Sequence, residues 1–549
     1  MTLNSTAGPG GPADPSASTE AVDAVVIGAG PNGLVAANLL VDAGWSVLLL
    51  ETQDEIGGAV HSDGSVHPGY IHDTFSSFYP LAAGSPTIRA MKLEEHGLRW
   101  SYAPAVVGTP FADGSWGMLH RTAEETAAGL DARAAGDGDA WLELCEQWDR
   151  IGDEVVGALM SPFPPVKAGL GALAKLHRVG GLDFVRDMLT PARTFVDQHF
   201  RGEAAKILIA GNAGHADIPL DGAGSALFGW LLCMLGQDVG FPVPEGGAGM
   251  LAHSMARRFE AHGGRIRTGC RATGIDVRDG VARAVRTQHG DEIAVRRAVV
   301  ADVSAPALYG GLVGWEHLPG RLERRMRRFE WDPGTVKVDW ALDGPIPWAS
   351  PPATAPGTVH VAESAEDIMT SRTQITADAV PAEPFLLLGQ MAAADPSRAP
   401  AGGEAVWAYT HVPQRVRTDA GDGGITGAWD SADVERMADR MQARIERYAP
   451  GFADRVVARR VLGPRELETR NENLVGGALN GGTAQLHQQL VFRPVPGGGR
   501  AETPVKRLYL GSASAHPGGG VHGACGANAA RAALAHERLG RLTRGTTRP

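Results

Sequence analysis

The feature that most constrains this sequence is an apolar run that ends in a glycine-rich turn. Residues 22–27 are almost continuously apolar, as in a parallel strand that is buried on both faces. The turn reads Gly-Ala-Gly-Pro-Asn-Gly over residues 28–33, and the apolar content of residues 34–41 suits a helix that covers a sheet. A second apolar strand at residues 47–50 completes a β-α-β unit. The sequence therefore predicts an α/β fold built on a Rossmann-type sheet.

The glycine-rich turn has the residues that a dinucleotide site requires. Gly28 permits the tight turn out of the strand, Gly30 lets the backbone approach a pyrophosphate, and Gly33 lets helix and strand pack closely. Pro31 suits an early helical position, because its missing N–H would be unsatisfied there in any case. The helix N-terminus, including Asn32, then offers free N–H groups to the phosphates.

A carboxylate and a glycine pair follow the second strand. Glu51 lies 23 residues after Gly28, where it can accept hydrogen bonds from the adenosine ribose hydroxyls. The same carboxylate would repel a 2′-phosphate, so NADP is disfavoured. Gly57 and Gly58 complete a Glu-x5-Gly-Gly pattern, which resembles the extended dinucleotide motif of FAD-binding flavoproteins. The resemblance implies FAD, as distinct from the cofactor of simple NAD dehydrogenases.

A second glycine-rich turn lies near the carboxyl terminus. Residues 511–526 read GSASAHPGGGVHGACG, after a strand at residues 508–510 and before a helix predicted over residues 523–539. Together with the first turn and Pro-Glu-Gly-Gly at residues 244–247, this segment resembles the phytoene desaturase-like group of the flavin amine oxidase superfamily. Within that group it is most similar to the branch named for pyridine nucleotide-disulfide oxidoreductase domain-containing protein 2. The resemblance spans nearly the whole chain.

The resemblance implies that the second turn passes under the flavin ring. The helix that follows would begin near residues 521–523 and point its N-terminus at the flavin. Its dipole would stabilise the negative charge that develops as the flavin accepts hydride. Small residues are needed there, because bulk would block the ring. The implied FAD contacts in this region are Gly511, Ser512, Gly519, Gly520 and Val521.

Two positions depart from the pattern of related flavoproteins. Many relatives carry Arg soon after the paired glycines, whereas this chain has Ala59-Val60-His61, so we expect different pyrophosphate contacts. Many also have Asp where this chain has Ser512, which changes the expected contact with the ribityl chain.

Three residues are candidates for acid-base or positioning roles beside the flavin. His516 and His522 flank the second turn, and since histidine titrates near neutrality either could act as a base or orient the substrate. Bonding to the backbone or to solvent is the alternative for both. Lys337 lies in a strand-like segment, and in amine oxidases a lysine on such a strand holds water near the flavin. An exposed strand lysine is the alternative.

The middle of the chain predicts a region that receives the substrate. Residues 118–236 are mostly helical in pattern, and the apolar segment 155–196 is interpreted either as the wall or mouth of a cavity or as ordinary helical packing. His215 and Asp217 could line that cavity, although their spacing predicts no metal site. Residues 321–330 are strongly basic but share an apolar face, which favours a solvated amphipathic helix.

The expected architecture is a Rossmann-type FAD-binding domain of the glutathione reductase-like kind with an inserted α+β substrate domain. Residues 1–20 are rich in Gly, Pro, Ser and Thr and are expected to form a disordered leader, not a signal peptide. The predicted FAD-binding domain comprises residues 21–115, 240–305 and 464–545, and the predicted substrate domain comprises residues 116–239 and 306–463.

Composition limits the partners and the compartment. The net charge of −11 argues against a nucleic-acid partner and against broad attachment to anionic lipid, although a single apolar patch could still make peripheral membrane contact. The 4 cysteines form no C-x-x-C pair, so neither a zinc site nor a dithiol redox centre is indicated. Reduced thiols favour a cytoplasmic location. No run reaches the ~18 apolar residues typical of a membrane span.

These observations predict an FAD-dependent oxidoreductase that dehydrogenates or desaturates a hydrophobic small molecule. The resemblance alone suggests an isoprenoid or carotenoid-like substrate. Electrons would pass from the reduced flavin to oxygen, a quinone or another acceptor. A flavin amine oxidase is the enzymatic alternative, and an FAD-binding protein with a regulatory or binding role is the alternative from a different class.

Overall fold

The computed structural model describes residues 20–545, with side chains up to Arg541. The predicted leader, apart from Glu20, therefore lies outside the described residues. The strands are β1 (Ala21–Ile27), β2 (Val47–Leu50), β3 (Ser62–Asp63), β4 (His72–Asp73), β5 (Trp100–Ser101), β6 (Ala105–Pro110), β7 (Trp116–Leu119), β8 (Val243–Pro244), β9 (Arg265–Arg267), β10 (Ala272–Arg278), β11 (Val281–Thr287), β12 (Glu292–Ala301), β13 (Gly334–Leu342), β14 (Pro356–Val361), β15 (Ala379–Val380), β16 (Leu386–Gln390), β17 (Glu404–Val412), β18 (Thr418–Asp419), β19 (Val456–Leu462) and β20 (Leu508–Leu510).

The α-helices connect and cover two large sheets. They are α1 (Pro31–Asp42), α2 (Pro80–Gly84), α3 (Pro86–Ala90), α4 (Ala123–Asp131), α5 (Asp137–Met160), α6 (Val166–Lys175), α7 (Leu182–Leu189), α8 (Ala192–His199), α9 (Glu203–Ala213), α10 (Ser225–Asp238), α11 (Gly249–Ala261), α12 (Gly320–Met326), α13 (Ala365–Thr376), α14 (Met391–Ala394), α15 (Ser431–Glu446), α16 (Pro464–Arg470) and α17 (Ala524–Gly545).

The first sheet is the Rossmann-type sheet that the sequence predicts. Its parallel core runs β9-β2-β1-β12-β20, and the antiparallel hairpin β10-β11 pairs with the first half of β12. Asp279 and Gly280 join that hairpin with φ values of 53° and 69°, as a tight primed turn requires. Helices α1, α11 and α17 cover one face, where their apolar side chains pack with Val26 and Val300. The predicted β-α-β unit and hairpin are therefore present.

The second sheet runs β19-β13-β17-β16-β14-β6-β7 and is antiparallel except between β14 and β6. Every position of β13 is buried, because its two faces pack against different layers. Val336 and Val338 on one face contact Met437 and Met441 of α15. The opposite face, which carries Lys337, is called the inner face below.

Strand β6 lies within residues 21–115, which the sequence assigns to the FAD-binding domain. In the structure it pairs with β14, so the second sheet begins at Ala105. The local pattern does not reveal this pairing, because β14 lies far away in sequence. Helix α12 is also shorter than the predicted segment 321–330: it ends at Met326, and its buried residues are Leu322 and Met326.

Helices α6 and α7 have more exposed apolar side chains than the other helices of the packed region that precedes β8. No residue of α6 is buried, and Leu170 and Leu173 are 64% and 67% exposed. Phe184 and Met188 of α7 are buried in the helical core, whereas Leu182 of the same helix is 80% exposed. Among the residues described, no helix is long and apolar enough to cross a bilayer.

Candidate active site

The turn between β1 and α1 is closed by backbone contacts that exclude side chains. Gly28 has a φ of 96°, in the left-handed region that favours glycine. A Cβ at position 33 would lie 2.0 Å from the carbonyl oxygen of Gly28, so any side chain there would force α1 away from β1. A Cβ at position 30 would lie 2.8 Å from a carboxylate oxygen of Asp302. The glycines therefore allow close approach both within the turn and towards Asp302.

The N-terminus of α1 has the free donors that a pyrophosphate needs. Gly30 is the N-cap and provides no side-chain hydrogen bond, and Pro31 occupies the first helical turn. Within residues 20–545, the backbone N–H groups of Gly30 and Asn32 have no hydrogen-bond acceptor. The N–H of Gly33 donates to Asp302 Oδ2 at 2.8 Å. These free donors at the positive end of a helix dipole fit phosphate oxygens of FAD. The Asn32 side chain points elsewhere and accepts a bond from the N–H of Gly526 at 3.4 Å.

Glu51 and the paired glycines meet at the same turn. Glu51 is 9% exposed, and its carboxylate accepts the N–H of Ala29 at 2.8 Å and that of Gln53 at 2.9 Å. A carboxylate has about four acceptor positions, so lone pairs remain for ribose hydroxyls. Gly57 donates its N–H to the carbonyl oxygen of Ala29 at 2.9 Å, and a Cβ on Gly58 would lie 3.0 Å from the Cα of Gly30. Motifs that are separate in the sequence thus form one cradle.

Asp302 belongs to this cradle, although the sequence motifs did not identify it. It follows β12 directly and is almost fully buried. Burial raises the pKa of Asp302 to about 7; the N–H of Gly33 acts against this shift, and Glu51 adds to it. The role of Asp302 could have been inferred from its place after a strand that neighbours β1, because ligands of such sheets bind beyond the carboxyl ends of the strands.

The C-terminal turn is held in place by Arg493, which is fully buried. Its guanidinium donates to the carbonyl oxygens of Ala513 at 2.7 Å, Thr483 at 2.8 Å and Asn480 at 2.7 Å. Burial lowers the pKa of Arg493, yet this group remains a cation at neutral pH. It therefore ties the turn at residues 511–520 to the chain segment at residues 480–483. No periodicity or motif in the sequence indicates this arginine.

The small residues of the C-terminal turn are closely surrounded by other segments of the chain. Gly511 donates its N–H to the carbonyl oxygen of Ala301 at 2.8 Å, next to the end of β12. Ser512 accepts the N–H of Ser514 at 3.2 Å, and a Cβ on Gly519 would lie 2.5 Å from Asn480. Gly520 has a φ of 109°, and a Cβ there would lie 2.8 Å from Leu81 of α2, while Val521 is partly buried. The turn is tightly enclosed from the side of residue 480 and from α2.

His516 and His522 differ in how their ring nitrogens are used. His522 Nδ1 accepts the N–H of Ala524 at 3.0 Å, at the start of α17. Burial lowers the pKa of His522 to about 4, so it is neutral at pH 7. Burial also lowers the pKa of His516, whose Nε2 lies 3.0 Å from the carbonyl oxygen of Ser161. Its Nδ1 is buried and has no hydrogen-bond partner among the described residues.

Lys337 is buried inside the protein, so it is not the exposed strand lysine that was the alternative prediction. It is 3% exposed, and its ammonium donates to the carbonyl oxygen of Asp73 at 2.8 Å and forms an ion pair with Asp339. Burial lowers the pKa of Lys337, and Asp339 acts against this shift. Asp339 is also paired with Arg460 at 2.8 Å. These contacts anchor the lysine between β13 and β4.

The Pro-Glu-Gly-Gly segment joins the two sheets through a buried ion-pair cluster. Gly246 donates its N–H to Asp395 at 2.8 Å, and Asp395 is bonded to Arg398 at 3.0 Å. Arg398 in turn forms a bidentate pair with Asp73, at 2.9 and 3.1 Å. Both partners of that pair are fully buried. The motif therefore positions the second sheet against the FAD-binding region.

His215 and Asp217 are brought close to other buried polar groups. His215 Nε2 lies 2.9 Å from Nε2 of His360. Asp217 accepts the N–H of Ala484 at 2.7 Å and the hydroxyl of Thr483, the residue whose carbonyl oxygen is also bonded by Arg493. Nowhere in the part of the chain that the structure describes do at least 3 His, Cys, Asp or Glu side chains form a group that could hold a metal ion.

Comparisons with known proteins agree with this geometry. Residues 26–91 match an NAD(P)-binding Rossmann-like domain, and residues 169–374 match the flavin-containing amine oxidoreductases. The chain is 30% identical to pyridine nucleotide-disulfide oxidoreductase domain-containing protein 2 of Rattus norvegicus, with 92% of each chain covered. It is 25% identical to a lycopene-forming phytoene desaturase of Pseudescherichia vulneris, with 94% of this chain and 99% of that chain covered.

A solved structure shows the same fold. Wild-type putrescine oxidase bound to putrescine superposes with a TM-score of 0.59 at 18% identity, over 94% of this chain and 99% of that chain. The expected α/β fold with a Rossmann-type FAD-binding domain is thereby confirmed, as is the resemblance on which the choice of FAD depends.

Proposed function

Because the chain belongs to the flavin-containing amine oxidoreductase family and is an FAD-dependent oxidoreductase, we propose that it dehydrogenates or desaturates a lipophilic substrate. The observation that carries this proposal is the apolar and aromatic surroundings of the C-terminal turn. Gly520 lies against Leu81 of α2, and the ring of Phe78, just before α2, lies 6.1 Å from that of Trp407 on the inner face. Such surroundings favour a C–H bond of an apolar chain as the group that is oxidised.

The aromatic pair on the inner face supports desaturation over amine oxidation. The rings of Trp407 and Tyr409 are nearly parallel, with an interplanar angle of 17°, and their centroids are 6.0 Å apart. A substrate carbon held between two rings needs a gap of about 7–8 Å, twice the optimal separation of non-bonded carbon atoms. This pair is therefore too close to act as an aromatic cage around an amine.

The protein's own contribution is positioning, exclusion of water and removal of a proton. When bound, FAD supplies the ring that accepts hydride. Desaturation also releases a proton from the neighbouring carbon, so an acceptor for that proton is required. His516 Nδ1 has no partner among the described residues, whereas His522 Nδ1 accepts the N–H of Ala524 and the Lys337 ammonium is held by the carbonyl oxygen of Asp73 and the carboxylate of Asp339. We assign the proton acceptor to His516.

The test is anaerobic reduction of the flavin in the purified protein. Addition of polyenes is expected to bleach the flavin absorbance, and addition of primary amines is not. In His516→Asn the flavin content should be unchanged, while reduction slows by about 100-fold, the range for loss of a general base. Bleaching by amines alone would establish the amine oxidase alternative, and a flavin that stays oxidised with every donor would point to a binding role. Reoxidation by oxygen and by a quinone then identifies the acceptor.

A lipophilic substrate also gives a reason for peripheral membrane contact, which we propose for α6. Val166, Leu170 and Leu173 of this helix are 64–67% exposed. Residues 166–182 contain Lys167, Lys175, His177 and Arg178 but no acidic residue, although the whole chain has a net charge of −11. Lys175 is paired with Glu154 of α5 at 2.7 Å, so the excess positive charge comes from Lys167 and Arg178. Local positive charge beside exposed apolar residues is complementary to an anionic lipid surface.

The position of α6 supports delivery of substrate towards the flavin. It follows the segment 161–165, in which Ser161 contacts His516 and the N–H of Phe163 donates to Gly499 at 3.0 Å. Sedimentation with vesicles of phosphatidylglycerol should carry the wild-type protein down, and phosphatidylcholine vesicles should carry much less. A Leu170→Gln/Leu173→Gln double variant should remain in the supernatant. Equal sedimentation of both proteins would contradict the proposal.

A further inference from the structure

The inner face of the second sheet carries a group of polar side chains close together. The register pairs Thr335 of β13 with His411 of β17, and Lys337 with Tyr409. Residues opposite each other in a sheet share a face, and alternate residues of one strand do so too, so Thr335, Tyr409 and His411 all project from the inner face. The rings of Tyr409 and His411 lie 5.6 Å apart. These residues belong to neighbouring strands and enclose one small region.

The polar atoms of this region lack hydrogen-bond partners. His411 is 3% exposed and Thr335 is 2% exposed. Neither ring nitrogen of His411 nor the hydroxyl of Thr335 has a hydrogen-bond partner among the described residues. Buried polar groups are almost always hydrogen-bonded, because leaving them unpaired is unfavourable. Several unpaired groups side by side therefore indicate a ligand that supplies the missing partners.

A buried cation acts electrostatically on these groups. Arg372 of α13 is 4% exposed and donates to the carbonyl oxygen of Gly214 at the end of α9. Among the described residues, no Asp or Glu is within ion-pair distance of Arg372, unlike the buried Arg398 and Arg444. Burial lowers the pKa of Arg372 only to about 10, so it is charged at neutral pH. The charge of Asp217 acts on Arg372 from beyond ion-pair distance, and that carboxylate is already bonded to Thr483 and Ala484. A buried cation without a directly paired carboxylate is unfavourable.

The charge of Arg372 acts on the same region. Burial, followed by the charge of Arg372, lowers the pKa of His215 to about 3 and holds that of His411 well below its usual range. Both rings are therefore neutral. Burial raises the pKa of Tyr409 to about 12, against the effect of Arg372, so the phenol keeps its proton. The region thus presents one fixed positive charge and neutral hydrogen-bond donors.

We propose that Arg372, Tyr409 and His411 bind a carboxylate at one end of the lipophilic substrate. A carboxylate only accepts hydrogen bonds, and the guanidinium fork matches its geometry. It would form the direct ion pair that Arg372 lacks, and it would accept hydrogen bonds from the Tyr409 hydroxyl and the Thr335 hydroxyl. A pure hydrocarbon would leave all of these groups unpaired. This inference rests on the proposed function, since the ligand in question is the substrate of that reaction.

Apolar and aromatic contacts connect the proposed site to the region of the C-terminal turn. Gly520 lies against Leu81, the ring of Phe78 lies 6.1 Å from that of Trp407, and Trp407, Tyr409 and His411 follow one another along β17. The apolar chain of the substrate would lie along the first of these contacts and its carboxylate would end at Arg372. The site therefore sets which part of the chain reaches the flavin.

Calorimetric titration of the FAD-loaded full-length protein tests the inference without measuring turnover. The probes are dodecanoate, dodecanol and dodecylamine, which share an alkyl chain and differ in the head group. We expect dodecanoate to bind at least tenfold more tightly than dodecanol and dodecylamine to bind most weakly. In Tyr409→Phe and His411→Leu the preference for dodecanoate should fall at least threefold, and in Arg372→Gln it should be lost.

Controls separate recognition of the carboxylate from damage to the fold. Thr358→Val removes a different unpartnered hydroxyl of the second sheet, on β14, and should leave the preference unchanged. Arg372→Lys retains the charge and should retain part of the preference. If Arg372→Gln does not fold, Tyr409→Phe and His411→Leu decide, because neither removes a hydrogen bond within the chain. Equal affinity for dodecanoate and dodecanol in the wild type overturns the inference, whereas a flavin that no donor reduces overturns the proposed function instead.

Discussion

The cradle around the first glycine turn and the inner face of the second sheet differ in how far their polar side chains are hydrogen-bonded within the protein. At the turn, the carboxylates of Glu51 and Asp302 accept backbone N–H groups of the turn itself. On the inner face, His411 and Thr335 have no hydrogen-bond partner among the described residues, and Arg372, which acts on the same region, has no carboxylate within ion-pair distance among them. A region that binds an invariant nucleotide can be shaped largely by backbone, whereas a region that selects a substrate keeps side-chain donors for it.

Gly33→Val would break the cradle and should have the largest effect of the changes considered. The new Cβ would lie 2.0 Å from the carbonyl oxygen of Gly28. The cost should exceed the about 1–3 kcal/mol typical of overpacking and approach the whole stability of a domain, about 5–15 kcal/mol. We expect loss of bound FAD and a collapse of the urea midpoint. Gly129→Ala is the matched control, because a Cβ in α4 meets nothing within 4 Å; flavin retained in Gly33→Val would contradict the prediction.

Arg398→Met would remove the cation of the buried ion-pair cluster that contacts the Pro-Glu-Gly-Gly segment. It leaves the carboxylates of Asp73 and Asp395 buried without their partner. Removing one member of a buried ion pair costs about 3–5 kcal/mol in the free energy of unfolding. Arg417→Met, at an exposed pair with Asp378, should cost no more than about 1 kcal/mol. Urea unfolding measures both, and similar losses for the two variants would show that the buried cluster does not stabilise the join.

Asp302→Asn tests whether a side-chain charge in the cradle controls binding of FAD. It replaces a titrating carboxyl with a neutral group of similar shape. Burial raises the pKa of Asp302 to about 7, so its stabilising contribution is complete below the unfolded pKa and is lost as the pH rises through about 7. The charged form also repels a pyrophosphate. We expect the affinity of the wild-type apoprotein for FAD to fall up to about tenfold from pH 6 to pH 8.

The Asp302→Asn variant should bind FAD with nearly constant affinity over the same range. Fluorescence titration with FAD measures both proteins. A wild-type affinity that does not change with pH, or a variant that follows the wild type, would exclude Asp302 as the titrating group.

Leu173→Gln should have the smallest effect, because it lies on a helix without buried residues. Leu173 is 67% exposed, and surface substitutions of this kind usually change the free energy of unfolding by less than about 0.5 kcal/mol. The urea midpoint and the flavin content should therefore match the wild type. A clear loss of stability would mean that α6 packs against protein in solution and not against lipid.

The cradle could be predicted from the sequence because its determinants are local. Gly28, Gly33 and Glu51 belong to one β-α-β unit, and the spacing between them reflects the length of a strand and a helix. Asp302 was missed, because its position beside the turn depends on β12 pairing with β1. The rule that ligands bind beyond the carboxyl ends of parallel strands could have found it.

The inner face could not be predicted, because its members come together only through the register of the second sheet. Thr335 meets His411 through the pairing of β13 with β17, and Arg372 arrives on a separate helix. None of these three residues belongs to a motif within its own segment of the sequence. His215 was recognised as a candidate for lining the cavity, but the sequence did not show that it would lie beside His360. Lys337 was singled out by resemblance, and its buried pairing with Asp339 emerged only from the structure.

The contact between α1 and α17 has a consequence for the biosynthesis of the protein. Gly526 of α17 bonds Asn32 of α1 across 494 positions of sequence, and β20 joins β12 only after most of the chain is made. At about 5–20 residues per second, a ribosome needs roughly 25–100 s between these positions. During that time the nascent FAD-binding half lacks its last strand and helix. The cradle can therefore form before the rest of the flavin site, and the contacts of the C-terminal turn are added only near the end of translation.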